Sequence, residues 1–80
     1  MKTIAVSYYA VLREQRGLSR ESVHTDAATA AELYDELRAR HGFTLESRLV
    51  KVAVNGAFQP LDIELKGGED LVFIPPVAGG

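Results

Sequence analysis

Eighty residues, 46% of them hydrophobic and 25% charged, make one small domain with enough apolar material to exclude disorder. The formal net charge of −2, with acids and bases interspersed, gives no basic footprint for nucleic acid, and no run reaches transmembrane length, so neither nucleic acid nor membrane is an expected partner. The absence of cysteine rules out disulfides and thiolate metal sites and suits a cytoplasmic setting, and Met1–Val6 is too short an apolar stretch for a signal peptide.

Lys2 to Tyr8, rich in Thr, Ile, Val and Tyr, reads as a first strand. Ala10 to Arg16 turns to helix-forming residues for one or two turns, and Gly17 is placed to stop them. Ser22 to Thr25 is a brief second strand with Val23 facing inward. The clearest element is a helix beginning at Thr29. Thr29-Ala30-Ala31-Glu32 fits a capping box in which Thr29 accepts from the N3 amide and Glu32 reaches back to the cap amide. Ala30, Leu33, Tyr34 and Leu37, extended by His41, follow the 3.6-residue period of a buried stripe. Arg38 and Arg40 oppose the dipole in the last turn, and Gly42 is expected to take a left-handed conformation.

Leu49 to Val54 reads as a third strand, with Val50, Val52 and Val54 on one face. Asn55-Gly56 is a two-residue hairpin signal that returns the chain through Ala57, Phe58 and Gln59 to Pro60. Leu61 to Leu65 is ambiguous between strand and loop. Lys66 to Asp70 reads as a turn and Leu71 to Ile74 as a last strand. The strands do not alternate regularly with helices, which disfavours a doubly wound fold. The economical answer is an α+β domain, a mixed four- to five-stranded sheet with one main helix packed across it.

No catalytic constellation survives inspection. His24 and His41 are far apart in the chain and lack carboxylates at ligand spacing. The pairs Asp35-Glu36 and Glu69-Asp70 read as solvated charge. Gly67-Gly68 precedes Glu69 and no helix, so it cannot cradle phosphate. Ser7, Ser19, Ser22 and Ser47 have no His and Asp partners arranged for nucleophilic work.

What remains is the ending, Pro75-Pro76-Val77-Ala78-Gly79-Gly80. Two prolines stop the preceding strand and stiffen its exit, while two glycines carry the carboxylate on the thinnest backbone available. We expect residues 1–74 to form the domain and residues 75–80 a projecting tail able to enter a partner's narrow active site. A carboxylate is a poor electrophile, so it must be activated on a partner, most simply as an acyl-adenylate. In a chain without cysteine, sulfur could be carried as a C-terminal thiocarboxylate.

Gly68 to Gly80, with its Pro-Pro-Val-x-Gly-Gly ending, resembles the C-terminal signature of the small subunit of molybdopterin synthase, the MoaD family. Val52-Ala53-Val54-Asn55-Gly56 is similar to the family's strand-turn segment, and Tyr8 to Glu14 resembles its aromatic-Ala-x-x-Arg-Glu opening. The resemblance covers essentially the whole chain and implies a ubiquitin-like β-grasp fold. It implies that Gly80 is adenylated by an E1-like adenylyltransferase of the MoeB type using ATP. A sulfur donor protein then converts Gly80 to the thiocarboxylate, and no cofactor is bound stably by the chain itself. Gly79 would be the slim neighbour that lets Gly80 reach the active site. Pro75, Pro76, Val77 and Ala78 would line the channel of a large, MoaE-like subunit holding cyclic pyranopterin monophosphate. Two thiocarboxylated copies serve each molybdopterin, in a heterotetramer with two small subunits on a large-subunit dimer. Tyr9, Phe58 and Ile74 match positions that form an apolar docking patch, with Tyr9 and Ile74 standing where the family often has phenylalanine.

Other readings share the activation chemistry. A ThiS-like carrier would deliver sulfur to thiamine, and related carriers serve cysteine synthesis or tRNA thiolation. A ubiquitin-like modifier would pass Gly80 to lysine amines, and a plain interaction domain would use the tail for nothing.

Overall fold

The computed structural model describes residues 1–76; Val77 to Gly80 lie outside the described residues. Five strands form one mixed sheet: β1 (Lys2–Tyr8), β2 (Arg20–Thr25), β3 (Lys51–Val54), β4 (Ala57–Gln59) and β5 (Asp70–Ile74), in the order β2-β1-β5-β3-β4. β1 and β5 pair in parallel at the centre, with Val6 beside Leu71 and Tyr8 beside Phe73, and the other pairings are antiparallel. A short helix α1 (Ala10–Arg16) follows β1, and the main helix α2 (Ala30–His41) follows β2. With one long helix packed against one face, this is the β-grasp arrangement that the resemblance implied.

The inner face of the sheet and the apolar stripe of α2 make a single core. Ala30, Leu33, Tyr34 and Leu37 are fully buried with Ile4, Val6, Leu71 and Phe73, and Val50, Val52 and Val54 share that face as expected. Aromatic rings tie the layers together. Tyr34 meets Phe73 edge-on at 5.2 Å, and Phe43, just beyond α2, stacks on Tyr34 at 5.9 Å and meets Tyr8 edge-on at 5.7 Å. Such pairs contribute about 0.5–1.5 kcal/mol each beyond the area they bury.

Local signals explain most element ends. Gly17 and Gly42 close α1 and α2 in the left-handed region, their amides donating to Arg13 and Arg38. Asn55 and Gly56 both have positive φ, as a two-residue turn between twisted strands requires. The Thr29 hydroxyl accepts from the Glu32 amide, but the Glu32 carboxylate meets that hydroxyl at 3.3 Å and not the Thr29 backbone amide. Once the oxygen accepts, its own proton is free to turn to the carboxylate.

Several places differ from the sequence reading, and the second strand begins at Arg20 rather than Ser22. The third strand begins at Lys51, because Ser47–Leu49 forms a 3₁₀ turn before it. The segment Leu61 to Leu65 is neither a strand nor a free loop: it touches Thr29 through a single antiparallel bridge at Glu64. The Leu61 and Ile63 carbonyls accept the amides of Ala31 and Ala30, groups that the first turn of a helix leaves without partners. Glu69, read as solvated charge, instead closes its own turn by accepting the amides of Lys66 and Gly67 at 2.6 and 2.7 Å. Burial opposes its ionisation, but those amides outweigh it and hold the carboxyl below the usual range. Glu36 is likewise engaged, accepting the Thr25 hydroxyl at 2.7 Å.

A polar network fixes α1 to β2. Arg16 grips Glu21 with two hydrogen bonds of 2.7 and 2.8 Å, and the buried Tyr8 hydroxyl donates to the same carboxylate at 2.7 Å. The Arg16 guanidinium, against the opposing effect of burial and with help from Tyr8, holds the Glu21 carboxyl down to about 2. Burial first, then Glu21, raises the Tyr8 hydroxyl.

Two outcomes are expected. Leu37→Ala, which empties a fully buried site, lowers the unfolding free energy by about 2–5 kcal/mol in urea titrations. Glu21→Gln is destabilising near neutral pH. The folded chain holds the Glu21 proton less readily than the unfolded chain, so the contribution of the ionised group is complete above its ordinary value of 4.5. It fades as the pH falls and is gone below about 2, so the melting temperatures of the two proteins converge in acid.

Candidate functional site

Because β1 and β5 run in parallel, both end at the same side of the sheet, and Pro75 and Tyr9 leave it together. Tyr8 points into the core. Tyr9, still extended at φ −128° and ψ 155°, therefore turns to the outer face and is 52% exposed. Ala10 then takes a left-handed φ of 51° as the chain bends into α1.

Among the described residues, no helix lies on the outer face. Across it, Ser7 lies beside Val72, Val72 beside Ala53 and Ala53 beside Phe58, while one step nearer the exit Ile74 pairs with Lys51. Ala53 is too short to give the Phe58 ring anything to lie on, and Phe58 is left 71% exposed. Ile74 is half-buried, Pro76 is exposed, and Pro75 is buried in the domain itself. Leu49, Lys51, Phe58, Ile74, Pro75 and Pro76 line a groove of about 330 Å³ at this end.

The sequence-derived site residues therefore divide. Phe58, Ile74, Pro75 and Pro76 share one groove, and Tyr9 stands at the same end of the same face. Pro75 forms part of the stiff base of the exit, since its side chain is spent on the domain. Val77, Ala78, Gly79 and Gly80 lie outside the described residues. Sequence reasoning passed over Lys51 and Leu49. The inward alternation of Val50, Val52 and Val54 marks Lys51 as outward-facing, but only the register opposite Ile74 puts it beside the exit.

The remaining candidates are scattered. His24 meets the Thr3 hydroxyl at 3.0 Å on the outer face, whereas His41 lies against Phe43 beyond α2. Burial and then Arg16 lower the His41 imidazole from its ordinary value. Among the described residues no three His, Asp or Glu side chains gather as a metal-binding group, and no helix is long and apolar enough to cross a membrane.

A family profile described as the ThiS family matches residues 6–80. The molybdopterin synthase sulfur carrier subunit of Haemophilus influenzae is 32% identical, with 94% of this chain and 96% of that protein covered. The protein of the same name from Escherichia coli is also 32% identical, over 96% of this chain and 99% of its own. Among solved structures, SAMP1 from Haloferax volcanii superposes with a TM-score of 0.77 at 29% identity, covering 98% of this chain and 99% of that one. A chain in the BexX/CysO complex of Amycolatopsis orientalis gives a TM-score of 0.66 at 31% identity, covering 96% and 99%.

The two phenylalanines on β4 and β5 should behave oppositely. Phe58→Ala shifts the unfolding free energy by less than about 0.5 kcal/mol, as an exposed side chain should. Phe73→Ala, at a fully buried site, costs about 3–5 kcal/mol in the same denaturation series.

Proposed function

The chain belongs to the ThiS family, and from that premise we propose that it is the sulfur-carrier small subunit of a molybdopterin synthase, giving up sulfur from Gly80 to cyclic pyranopterin monophosphate on a larger subunit. The observation that carries this reading is the convergence at one end of the sheet. Tyr9, Phe58, Ile74 and Pro76 gather where the chain runs on toward Gly79-Gly80. An apolar patch beside the base of a reactive terminus supplies binding energy where the terminus must be aimed. Buried Pro75 fixes the point of departure.

In this reading the Gly80 carboxylate attacks the α-phosphorus of ATP on a MoeB-like activating enzyme, expels pyrophosphate and becomes an acyl-adenylate. A persulfide on the donor protein displaces AMP to give an acyl disulfide, and attack by a second thiol releases the thiocarboxylate and leaves a disulfide. Gly79 has no side chain to obstruct entry, and Val77 and Ala78 line the channel of the large subunit with Pro76. The catalytic groups that act on the pterin belong to that large subunit, two of which would pair and each take one small subunit. The prolines lower the entropy lost when the tail is ordered, a loss of about 1–2 kcal/mol for each backbone residue fixed.

The likeness to small archaeal modifier protein 1 of Haloferax volcanii favours one further reading. After the same activation, a lysine amine in place of sulfur would attack Gly80 and leave an isopeptide bond.

Intact mass spectrometry separates these. Co-expressed with its activating enzyme and sulfur donor, the chain gains the mass of one oxygen-to-sulfur exchange at Gly80. It loses that mass, as molybdopterin appears, on mixing with large subunit and cyclic pyranopterin monophosphate. Deletion of Gly80 abolishes both steps. Sulfur that loads but does not discharge points to thiamine or another sulfur pathway, and attachment to target lysines points to the modifier. A terminus of unchanged mass overturns the carrier reading.

A further inference from the structure

Phe58 lines two grooves. Beyond the one at the chain exit lies a second, of about 430 Å³, lined by Val50, Lys51, Phe58, Gln59, Pro60 and Leu61. Both grooves share Phe58 and Lys51, and among the described residues Lys51 is the one ionisable side chain in either lining. It is exposed, and it forms none of the ion pairs among the described residues. Several other cations are engaged: Arg16 by Glu21, Arg48 by Glu46, Lys2 by the Ala27 carbonyl. Among the described residues, Lys51 is thus an ammonium without a counter-charge in the middle of a largely apolar trough.

We propose that the two grooves act as one docking trough whose occupant is an acidic–apolar segment of the large subunit. That segment places a carboxylate on Lys51 and apolar side chains on either side of Phe58. The inference rests on the carrier reading and deepens it by naming what the partner must present. Its physical basis is desolvation. A partner that covers Phe58 and Ile74 also strips water from Lys51, which is paired with Ile74 in the sheet. An ammonium desolvated without a counter-charge opposes binding, whereas one met by a carboxylate restores the lost hydration and rejects basic or purely apolar competitors.

The test measures the affinity of the full chain for purified large subunit by calorimetry at low and high salt. Lys51→Met weakens binding about tenfold and flattens its salt dependence, and Lys51→Glu weakens it about a hundredfold or more. Lys51→Arg keeps the charge and stays within about threefold of the parent. Lys66→Glu makes the same change in net charge in the exposed turn before β5, and it too stays within about threefold. Thermal melts check that each variant is folded, and the Met and Arg variants carry the comparison should Lys51→Glu fail to fold. Binding by Lys51→Met equal to the parent, or a loss in Lys66→Glu matching that in Lys51→Glu, overturns the trough and leaves the carrier reading standing. If the parent chain does not bind the large subunit at all, both fall.

Discussion

The parallel pairing of β1 with β5 is the constraint on which the rest of the structure depends. It joins residues from nearly opposite ends of the chain, Ala5 with Asp70 and Tyr8 with Phe73, in the middle of the sheet. Closing so long a loop costs entropy that only extensive burial offsets, and the inward residues of both strands are almost wholly buried under α2. Because the two strands point the same way, the last residue of the domain emerges beside Tyr9. An antiparallel pairing would have sent the terminal segment out at the far end, near Lys2. The position of the candidate site thus follows from strand direction before any side chain is considered.

A domain with one long helix can cover only one face of its sheet, and the composition of the other face reflects that. Ala5, Ser7, Ala53 and Val72 are short, and although no helix among the described residues lies over them, their neighbours leave them only partly exposed. Against this low background the long side chains stand out. Phe58 rises opposite Ala53, and Ile74 sits opposite Lys51. A larger residue at position 53 would give the ring a cross-strand partner and lay it against the sheet. The exposure of Phe58 is therefore a property of the pair and not of Phe58 alone.

How far the sequence discloses this fold depends on how local each interaction is. The 3.6-residue stripe from Ala30 to Leu37, the Thr29 cap, the stops at Gly17 and Gly42 and the Asn55-Gly56 turn are all encoded within a few residues, and each was legible. Leu61 to Leu65 was not, because its backbone is organised by the orphan amides of α2, some thirty residues earlier. The Tyr8–Glu21–Arg16 network escaped notice because a tyrosine, a glutamate and an arginine on three elements carry no mutual spacing signal. At the candidate site, Phe58 and Ile74 were reached through family resemblance. Lys51 was visible only as an outward residue of a strand, and its place in the trough required the register of three strands.

That trough also bears on a physical demand peculiar to a carrier. A chain that is loaded on one protein and unloaded on another must leave each of them, so a large apolar interface would work against it. The described face offers one well-exposed ring in Phe58, a second in Tyr9, and half-buried Ile74, a small patch by the standard of stable complexes. In the proposed docking, Lys51 adds selectivity and a salt-sensitive share of the affinity. A charge pair accelerates encounter and is weakened by salt, whereas added apolar area mainly slows release. In the proposed function the chemistry falls to Gly80, and buried Pro75 fixes where the chain leaves the sheet. In the proposed reading Phe58 supplies apolar contact, Lys51 the charge that selects the partner and Gly80 the reactive group, so the docking residues can change while the terminus keeps its chemistry.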